Sequence, residues 1–149
     1  TGLRVDVWTD RGDGGSYSAG EKMIVFLRSN RDCYVHLVYA DVAGHNIRIF
    51  PNAYSKTNRR IRADTVYKIP AATDAFEFVI QGPFGREELY AFASTAPLPH
   101  VPGVEAGAGL ILLEGSRQEI VRRYRSVNVD QKQRAGVVEE SCIVTTMDR

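Results

Sequence analysis

Three histidines and two cysteines are the side chains of this 149-residue chain best suited to bind metal or to act as bases and nucleophiles. They are His36, His45, His100, Cys33 and Cys142. Since no CxxC or HxxxH spacing occurs among them, the sequence predicts no zinc site. Apolar neighbours around His36 favour a hydrogen-bonded structural histidine over a general base, and His45 is expected in an exposed turn. Two buried thiols are favoured over a disulfide, which is the alternative for the cysteines.

Carboxylates are the other groups that could do chemistry. Asp10 and Asp13 lie in a glycine-rich segment that resembles part of a calcium loop, but the spacing differs from that of an EF-hand and favours a plain β-turn. Adjacent acids at 87–88 and 139–140 would point to opposite faces of a strand, so they cannot easily pair as acid and base. Nucleophile-elbow and phosphate-loop motifs are absent. The sequence therefore predicts no catalytic residue and no cofactor.

One polar, basic segment, residues 53–64, has the length of a loop that carries binding residues. Arginine forks suit phosphate and carboxylate groups, although most such runs are simply solvated surface. The candidate binding residues are Asn52, Tyr54, Arg59, Arg60 and Arg62. They are expected to contact an anionic or carbohydrate ligand.

Composition limits the classes of partner. The net charge of +1 gives no overall field that would favour nucleic acid or an anionic membrane. No apolar run approaches the roughly 18 to 20 residues that cross a bilayer, so direct membrane insertion is not expected. The first residues lead straight into an alternating pattern without a signal peptide, and two interpretations stay open: a cytoplasmic protein, or a chain that begins after a removed leader.

Short alternating segments run through most of the chain and predict strands. The predicted strands lie near 3–8, 22–29, 33–40, 46–50, 66–70, 75–81, 88–94 and 137–146. The segment 22–29 has apolar residues at both odd and even positions, which suits a central strand covered on both faces. A Gly-Pro-x-Gly turn joins the strands at 75–81 and 88–94, while the prolines and glycines of 96–109 indicate a connector or flexible linker.

Ser116 and Glu119 fit a capping box, followed by an apolar stripe at Ile120, Val121 and Tyr124. This pattern predicts one short amphipathic helix at about 116–127. Strands without β-α alternation favour a mainly β fold, a two-layer antiparallel, immunoglobulin-like β-sandwich with one short C-terminal helix. The length of the chain suits a single domain over 1–149.

Several short motifs recur in an order that resembles the bacterial "domain of unknown function 4384" family. The motifs are Val7-Trp8-Thr9-Asp10, Tyr17-Ser18-Ala19-Gly20-Glu21, Cys33-Tyr34-Val35, Asp41-x-x-Gly44, Ile49-Phe50-Pro51-Asn52, Tyr67-Lys68-Ile69-Pro70 and Gly82-Pro83-Phe84-Gly85-x-Glu87. They span about residues 5–97. The family has no established activity. The resemblance implies an accessory module, commonly attached to other domains in exported, lipid-anchored or multidomain bacterial proteins.

These observations favour a non-catalytic module that binds or scaffolds a protein partner or a neighbouring domain in the bacterial cell envelope or periplasm. One alternative is a purely structural spacer that docks to a neighbouring domain through an exposed edge strand, for which the terminal strand at 137–146 is the candidate. A second alternative, a metal-dependent or hydrolytic enzyme, requires a pocket that gathers His36, Cys33 or the Asp10 and Asp13 carboxylates.

Overall fold

A computed structural model describes residues 2–53, 60–74, 76–126 and 136–149. Within these ranges the chain forms twelve strands and one helix. In chain order they are β1 (Val5–Thr9), β2 (Gly15–Ser18), β3 (Lys22–Met23), β4 (Val25–Ser29), β5 (Tyr34–Ala40), β6 (Asn46–Phe50), β7 (Tyr67–Ile69), β8 (Phe78–Val79), β9 (Arg86–Ser94), β10 (Gly103–Glu105), β11 (Ile111–Leu113), α1 (Arg117–Arg125) and β12 (Val138–Met147). The prediction of a mainly β fold with one short C-terminal helix is confirmed.

The strands form three sheets. The largest has seven strands in the order β10-β11-β6-β5-β9-β12-β2, a second has the order β1-β4-β7, and β3 pairs with β8. All pairs are antiparallel except β12 with β2, which run parallel at one edge of the large sheet. An entirely antiparallel arrangement was predicted, and this edge pair is the exception. The turn after β1 brings β2 beside β12, and just before β2 the Gly14 N–H donates a hydrogen bond to the Ile143 carbonyl at 2.8 Å.

The main core lies against one face of the seven-stranded sheet. Alternate residues of β9 and β12, Leu89 and Cys142 among them, face the same side as Leu37 of β5. Val7 of β1 and Leu27 of β4 belong to the same buried cluster, so the three-stranded sheet supplies its other side. The free, buried cysteines confirm the prediction of two thiols without a disulfide.

The helix covers the other face of the seven-stranded sheet. Ser116 caps it by accepting a hydrogen bond from the Glu119 N–H at 3.2 Å, as the capping-box pattern predicts. Ile120 and Tyr124 are the buried residues of the helix, and the Tyr124 ring stacks on Phe92 of β9 with ring centroids 4.1 Å apart. This contact fixes the helix across β5 and β9.

The segment 22–29 differs from its prediction as a doubly covered central strand. It forms two short strands, and burial in β4 alternates, with Val25 and Leu27 turned to the core. Phe26 points outward, where its ring stacks on Trp8 at 5.6 Å. The aromatic pair explains why an apolar residue, Phe26, lies on the outer face of β4. The alternation of apolar and polar residues in the sequence does not reveal this pair.

The predicted linker at 103–109 is also wrong. It contains the hairpin β10–β11, closed by a hydrogen bond from the Ala106 N–H to the Leu110 carbonyl at 2.8 Å. Gly107 has a φ of 90°, which a glycine adopts readily and which permits the tight turn. The terminal strand β12 lies between β9 and β2, so it is not the exposed edge that the spacer hypothesis requires. In the part of the chain that the structure describes, no helix is long and apolar enough to cross a membrane.

Candidate functional site

A cleft of about 380 Å³ opens between the segment that contains β8 and the strands β5 and β6 of the large sheet. Its walls are mostly apolar. The apolar side chains are Met23, Ile47, Ile49, Phe78, Val79, Ile80, Pro83 and Leu110. The volume lies in the range of small ligand sites in proteins.

The acidic residue Glu87 lies in this cleft because of the alternation along β9. Glu87 begins the row Glu87, Leu89 and Ala91, whose later members face the main core. It therefore points to the same face of the sheet as the core, at the place where the core gives way to the cleft. Its exposed fraction is only 6 %.

Two donors hold the Glu87 carboxylate. The Tyr39 hydroxyl donates a short hydrogen bond to one oxygen, and the Val42 N–H donates to the other at 2.9 Å. Burial raises the pKa of Tyr39 well above its usual value, and the hydrogen bond to Glu87 adds to this shift. Tyr39 is therefore protonated at neutral pH and acts as a fixed donor.

Asp41 and Glu77 are the other two acids of the cleft. The Asp41 carboxylate accepts from the His45 N–H at 2.8 Å and lies 2.9 Å from the His45 ring nitrogen. Glu77 forms an exposed ion pair with Lys22 at 3.0 Å. None of the described residues that line the cleft is a lysine, arginine or histidine. The cleft thus combines apolar walls with negative charge.

The predicted binding residues lie elsewhere. Tyr54 and Arg59 are outside the described residues, while Asn52 is buried with an exposed fraction of 2 %. Arg60 and Arg62 are exposed on either side of the buried Ile61. None of these three residues lines the cleft. Their role in binding stays a prediction, and it concerns a surface separate from the cleft.

The basic loop is anchored at the start of β5. Ile61 exchanges backbone hydrogen bonds with Cys33 at 2.8 and 3.1 Å, and the Arg62 N–H donates to the Tyr67 hydroxyl at 2.9 Å. Because neighbouring residues of an extended segment point to opposite sides, burial of Ile61 turns both arginine side chains outward. Arg60 and Arg62 therefore lie on the same, exposed side of this segment.

His36 lies on the helix side of the large sheet, where its Nδ1 is 2.7 Å from the Tyr124 hydroxyl. Burial lowers the pKa of His36 to about 3, and the positive charges of Arg48 and His100 add to this shift. The imidazole is therefore neutral at physiological pH. The prediction of a hydrogen-bonded structural histidine is confirmed, and His45 is exposed as expected.

The acids of the first glycine-rich turn have structural partners. The Tyr17 hydroxyl donates to Asp10 at 2.5 Å, and the Ile143 N–H donates to Asp13 at 2.7 Å. Across residues 2–53, 60–74, 76–126 and 136–149, no group of three or more His, Cys, Asp or Glu side chains is arranged to hold a metal ion. Cys33 belongs to the main core and His36 faces the helix, so these two side chains lie on opposite faces of the large sheet.

The cleft escaped the sequence analysis because its two walls come from distant parts of the chain. One signal was present. In the pattern Glu87-x-Leu89-x-Ala91-x-Ala93, an acid occupies a position that belongs to an apolar row. An acid on the core face of a strand indicates a buried carboxylate with specific partners.

Fold and cleft define a mainly β protein with one helix among its described residues and an open apolar cleft that carries acidic groups. Residues 16–97 match the family described as "Domain of unknown function (DUF4384)". Because the match spans more than half of the chain, this protein belongs to that family. The match begins later than the resemblance at residue 5 and ends at the same residue. No curated protein and no solved structure matches the chain.

Proposed function

We propose that this chain is a non-catalytic binding or scaffolding module of a bacterial envelope or multidomain protein, and that the cleft beside β8 is its binding site. The observation that carries this proposal is the cleft itself. Binding sites are typically concave and mostly apolar, with a few fixed polar groups that set specificity. The apolar wall around Ile47 and Phe78, with Glu87 held by two donors, has this composition.

A binding role is favoured over catalysis by the partners of the acids in the cleft. General acid-base catalysis needs a group that can take a proton from a bound substrate. Both oxygens of Glu87 accept hydrogen bonds from the protein, and Asp41 is engaged by His45. These contacts give the carboxylates fixed positions, which suits recognition of a ligand.

The envelope context of the proposal comes from the family resemblance, in which such modules accompany exported or lipid-anchored proteins; a cytoplasmic multidomain protein is the alternative. We also propose that the sheets form an immunoglobulin-like two-layer sandwich. That arrangement would serve an accessory module, because a rigid sheet scaffold positions loops and clefts for a partner.

A photo-cross-linker placed at Gln81 tests this function. Gln81 is exposed and lines the cleft, whereas Gln118 is exposed on the helix and provides a matched control. In the native host, we expect a discrete cross-linked partner from position 81 and none from position 118. The partner, once purified, should bind the unmodified protein and lose at least ten-fold in affinity for Gln81→Trp but not for Gln118→Trp. Absence of a position-81 product would contradict the proposal.

A second binding surface is supported by the anchoring of Ile61, which holds Arg60 and Arg62 outward together. Two exposed guanidinium groups on one side of a segment suit an anionic or carbohydrate ligand. A glycan and sulfated-ligand array should give binding that is lost in the Arg60→Ala/Arg62→Ala double variant. Equal binding by the double variant would remove this surface from consideration.

The spacer function is supported by a different edge from the one that the sequence suggested. β10 lies at the edge of the large sheet, and its Val104 has an exposed fraction of 58 %. An exposed apolar edge strand can pair with a neighbouring domain. Val104→Lys in the full-length protein should then increase proteolysis between the domains, whereas a purely ligand-binding module would show no change.

A further inference from the structure

One acid of the cleft has no basic partner among the described residues. Glu77 is paired with Lys22 and Asp41 contacts the His45 ring, whereas Glu87 has neither kind of contact. Glu87 is the most buried of the three, and no lysine, arginine or histidine in the described part of the chain forms an ion pair with it. A carboxylate has about four lone-pair sites, and the two hydrogen bonds to Glu87 leave acceptor capacity for a further donor. A bound cation would therefore compensate a buried negative charge.

One wall of the cleft is the edge of a strand. All seven consecutive residues from 77 to 83 line the cleft. β8 comprises only Phe78 and Val79 of this run, and since the side chains of these two neighbours point to opposite faces of the strand, the cleft meets the backbone edge between them. β8 has one hydrogen-bonded neighbour, β3, so its second edge is available within the described fold.

The pattern of backbone hydrogen bonds shows which groups that edge offers. The Ile80 N–H donates to the Glu21 carbonyl at 2.8 Å, and the Ile80 carbonyl accepts from the Gly20 N–H at 2.9 Å. Antiparallel pairing sends the backbone groups of alternate residues to opposite sides. The N–H and C=O groups of Val79 and Gln81 therefore point away from β3. Val79 itself has an exposed fraction of 42 %.

We propose that the cleft binds an extended peptide segment as an additional strand on β8, and that a lysine or arginine of this segment reaches Glu87. This assignment rests on the proposed function of the cleft. Strand addition obtains affinity from main-chain hydrogen bonds and specificity from pockets for alternate side chains. Here the apolar wall of Ile47, Phe78 and Leu110 accepts apolar side chains of the peptide, while the carboxylates select the cation.

Capped nine-residue peptides provide the probe. They alternate valine and threonine around a central Lys, Arg, norleucine or Glu, and their binding to the whole chain is measured by fluorescence anisotropy at low salt. We expect the Lys and Arg peptides to bind at least ten-fold more tightly than the Glu peptide, with norleucine between them. Equal binding of the Lys and Glu peptides, or no binding by any of them, would overturn the proposal.

Two variants at one position test the strand addition. Val79→Pro removes the N–H that points away from β3 and does not remove either atom of the Ile80 hydrogen bonds, whereas Val79→Thr keeps the N–H. Binding of the Lys peptide should fall at least ten-fold in Val79→Pro and change less than two-fold in Val79→Thr. Unchanged binding in Val79→Pro would show that the cation is recognised without strand addition and would overturn this mode.

The carboxylates are tested separately. Glu87→Gln should reduce the preference for Lys over norleucine at least five-fold. Because Glu87 is buried and this variant can lose stability, Asp41→Asn provides a second measurement in a more exposed part of the cleft. A preference that persists in both folded variants would overturn the role of the acids. A cross-linked partner at Gln81 together with failure of all peptides would leave the cleft as a binding site and reject only its peptide ligand.

Discussion

His36 and His45 show how the surroundings of one side chain decide its chemistry. His36 lies between β5 and the helix beside Tyr124, where burial holds its pKa at about 3. His45 lies in an exposed turn and contacts the Asp41 carboxylate. A buried neutral imidazole makes folding sensitive to pH, because only the unfolded chain can take up the proton.

Acid should therefore destabilise the protein through His36. The unfolded pKa is about 6.5 and the folded pKa lies below it, so this contribution to stability is present above pH 6.5 and is lost as the pH falls toward 3. Between pH 7 and pH 4.5 the loss from this residue should be about 2–3 kcal/mol. Urea denaturation of the parent and of His36→Gln at both pH values gives the free energy of unfolding of each. The contribution of His36 is the amount by which the parent loses more of this free energy than the variant does.

His45→Gln is the matched control, because the same substitution is made at an exposed position. The pH dependence of the free energy of unfolding should be flatter in His36→Gln than in the parent chain or in His45→Gln. If both variants lose the same free energy of unfolding between pH 7 and pH 4.5 as the parent, His36 does not remain neutral in the folded state.

Local chemistry was predictable where its partners lie close in the chain. The Ser116 and Glu119 cap follows from a spacing of three residues, and the apolar neighbours of His36 indicated its burial. Glu87 was harder to interpret, because Tyr39 and Val42 are more than forty positions away. The sequence shows that an acid interrupts an apolar row, but it does not show which donors satisfy it.

The positions of the strands and the helix along the chain were predicted better than the pairing of strands within the sheets. Alternation is a local property, so β6 and β12 were located closely. Pairing depends on distant segments, and neither the parallel contact of β12 with β2 nor the hairpin β10–β11 can be derived from periodicity alone. The cleft depends on such pairing, since β8 joins β3 while β9 enters the large sheet.

The packing of the helix on the large sheet should depend mainly on the side of the helix that carries its buried residues. Ile120 is fully buried against the large sheet, while the next residue, Val121, is only partly buried. Ile120→Ala should lower the free energy of unfolding by about 2–5 kcal/mol through lost burial and a residual cavity. Val121→Ala should cost less than about 1 kcal/mol, because the better helix propensity of alanine offsets part of the loss. Chemical denaturation of the two variants measures the difference, and equal costs would contradict the observed orientation of the helix.

The family match and the folded unit do not coincide. Residues 16–97 contain β5, β6 and β9, but β12 pairs with β9 along most of its length and comes from the region after the match. β1 also precedes the match and pairs with β4. Both the large sheet and the main core therefore include strands from outside the matched region.

A chain reduced to residues 16–97 should consequently fail to fold cooperatively. Without β12, the edge of β9 would be unpaired, and the core residues that Cys142 and Val144 of β12 cover would be open to water. Circular dichroism melting and size-exclusion chromatography should show no cooperative transition and a strong tendency to aggregate. A chain of residues 5–149 is the control and should melt as the full chain does, because every described strand is kept. Cooperative melting of the 16–97 fragment would mean that β1 and β12 are additions to a core that is already complete, instead of parts of it.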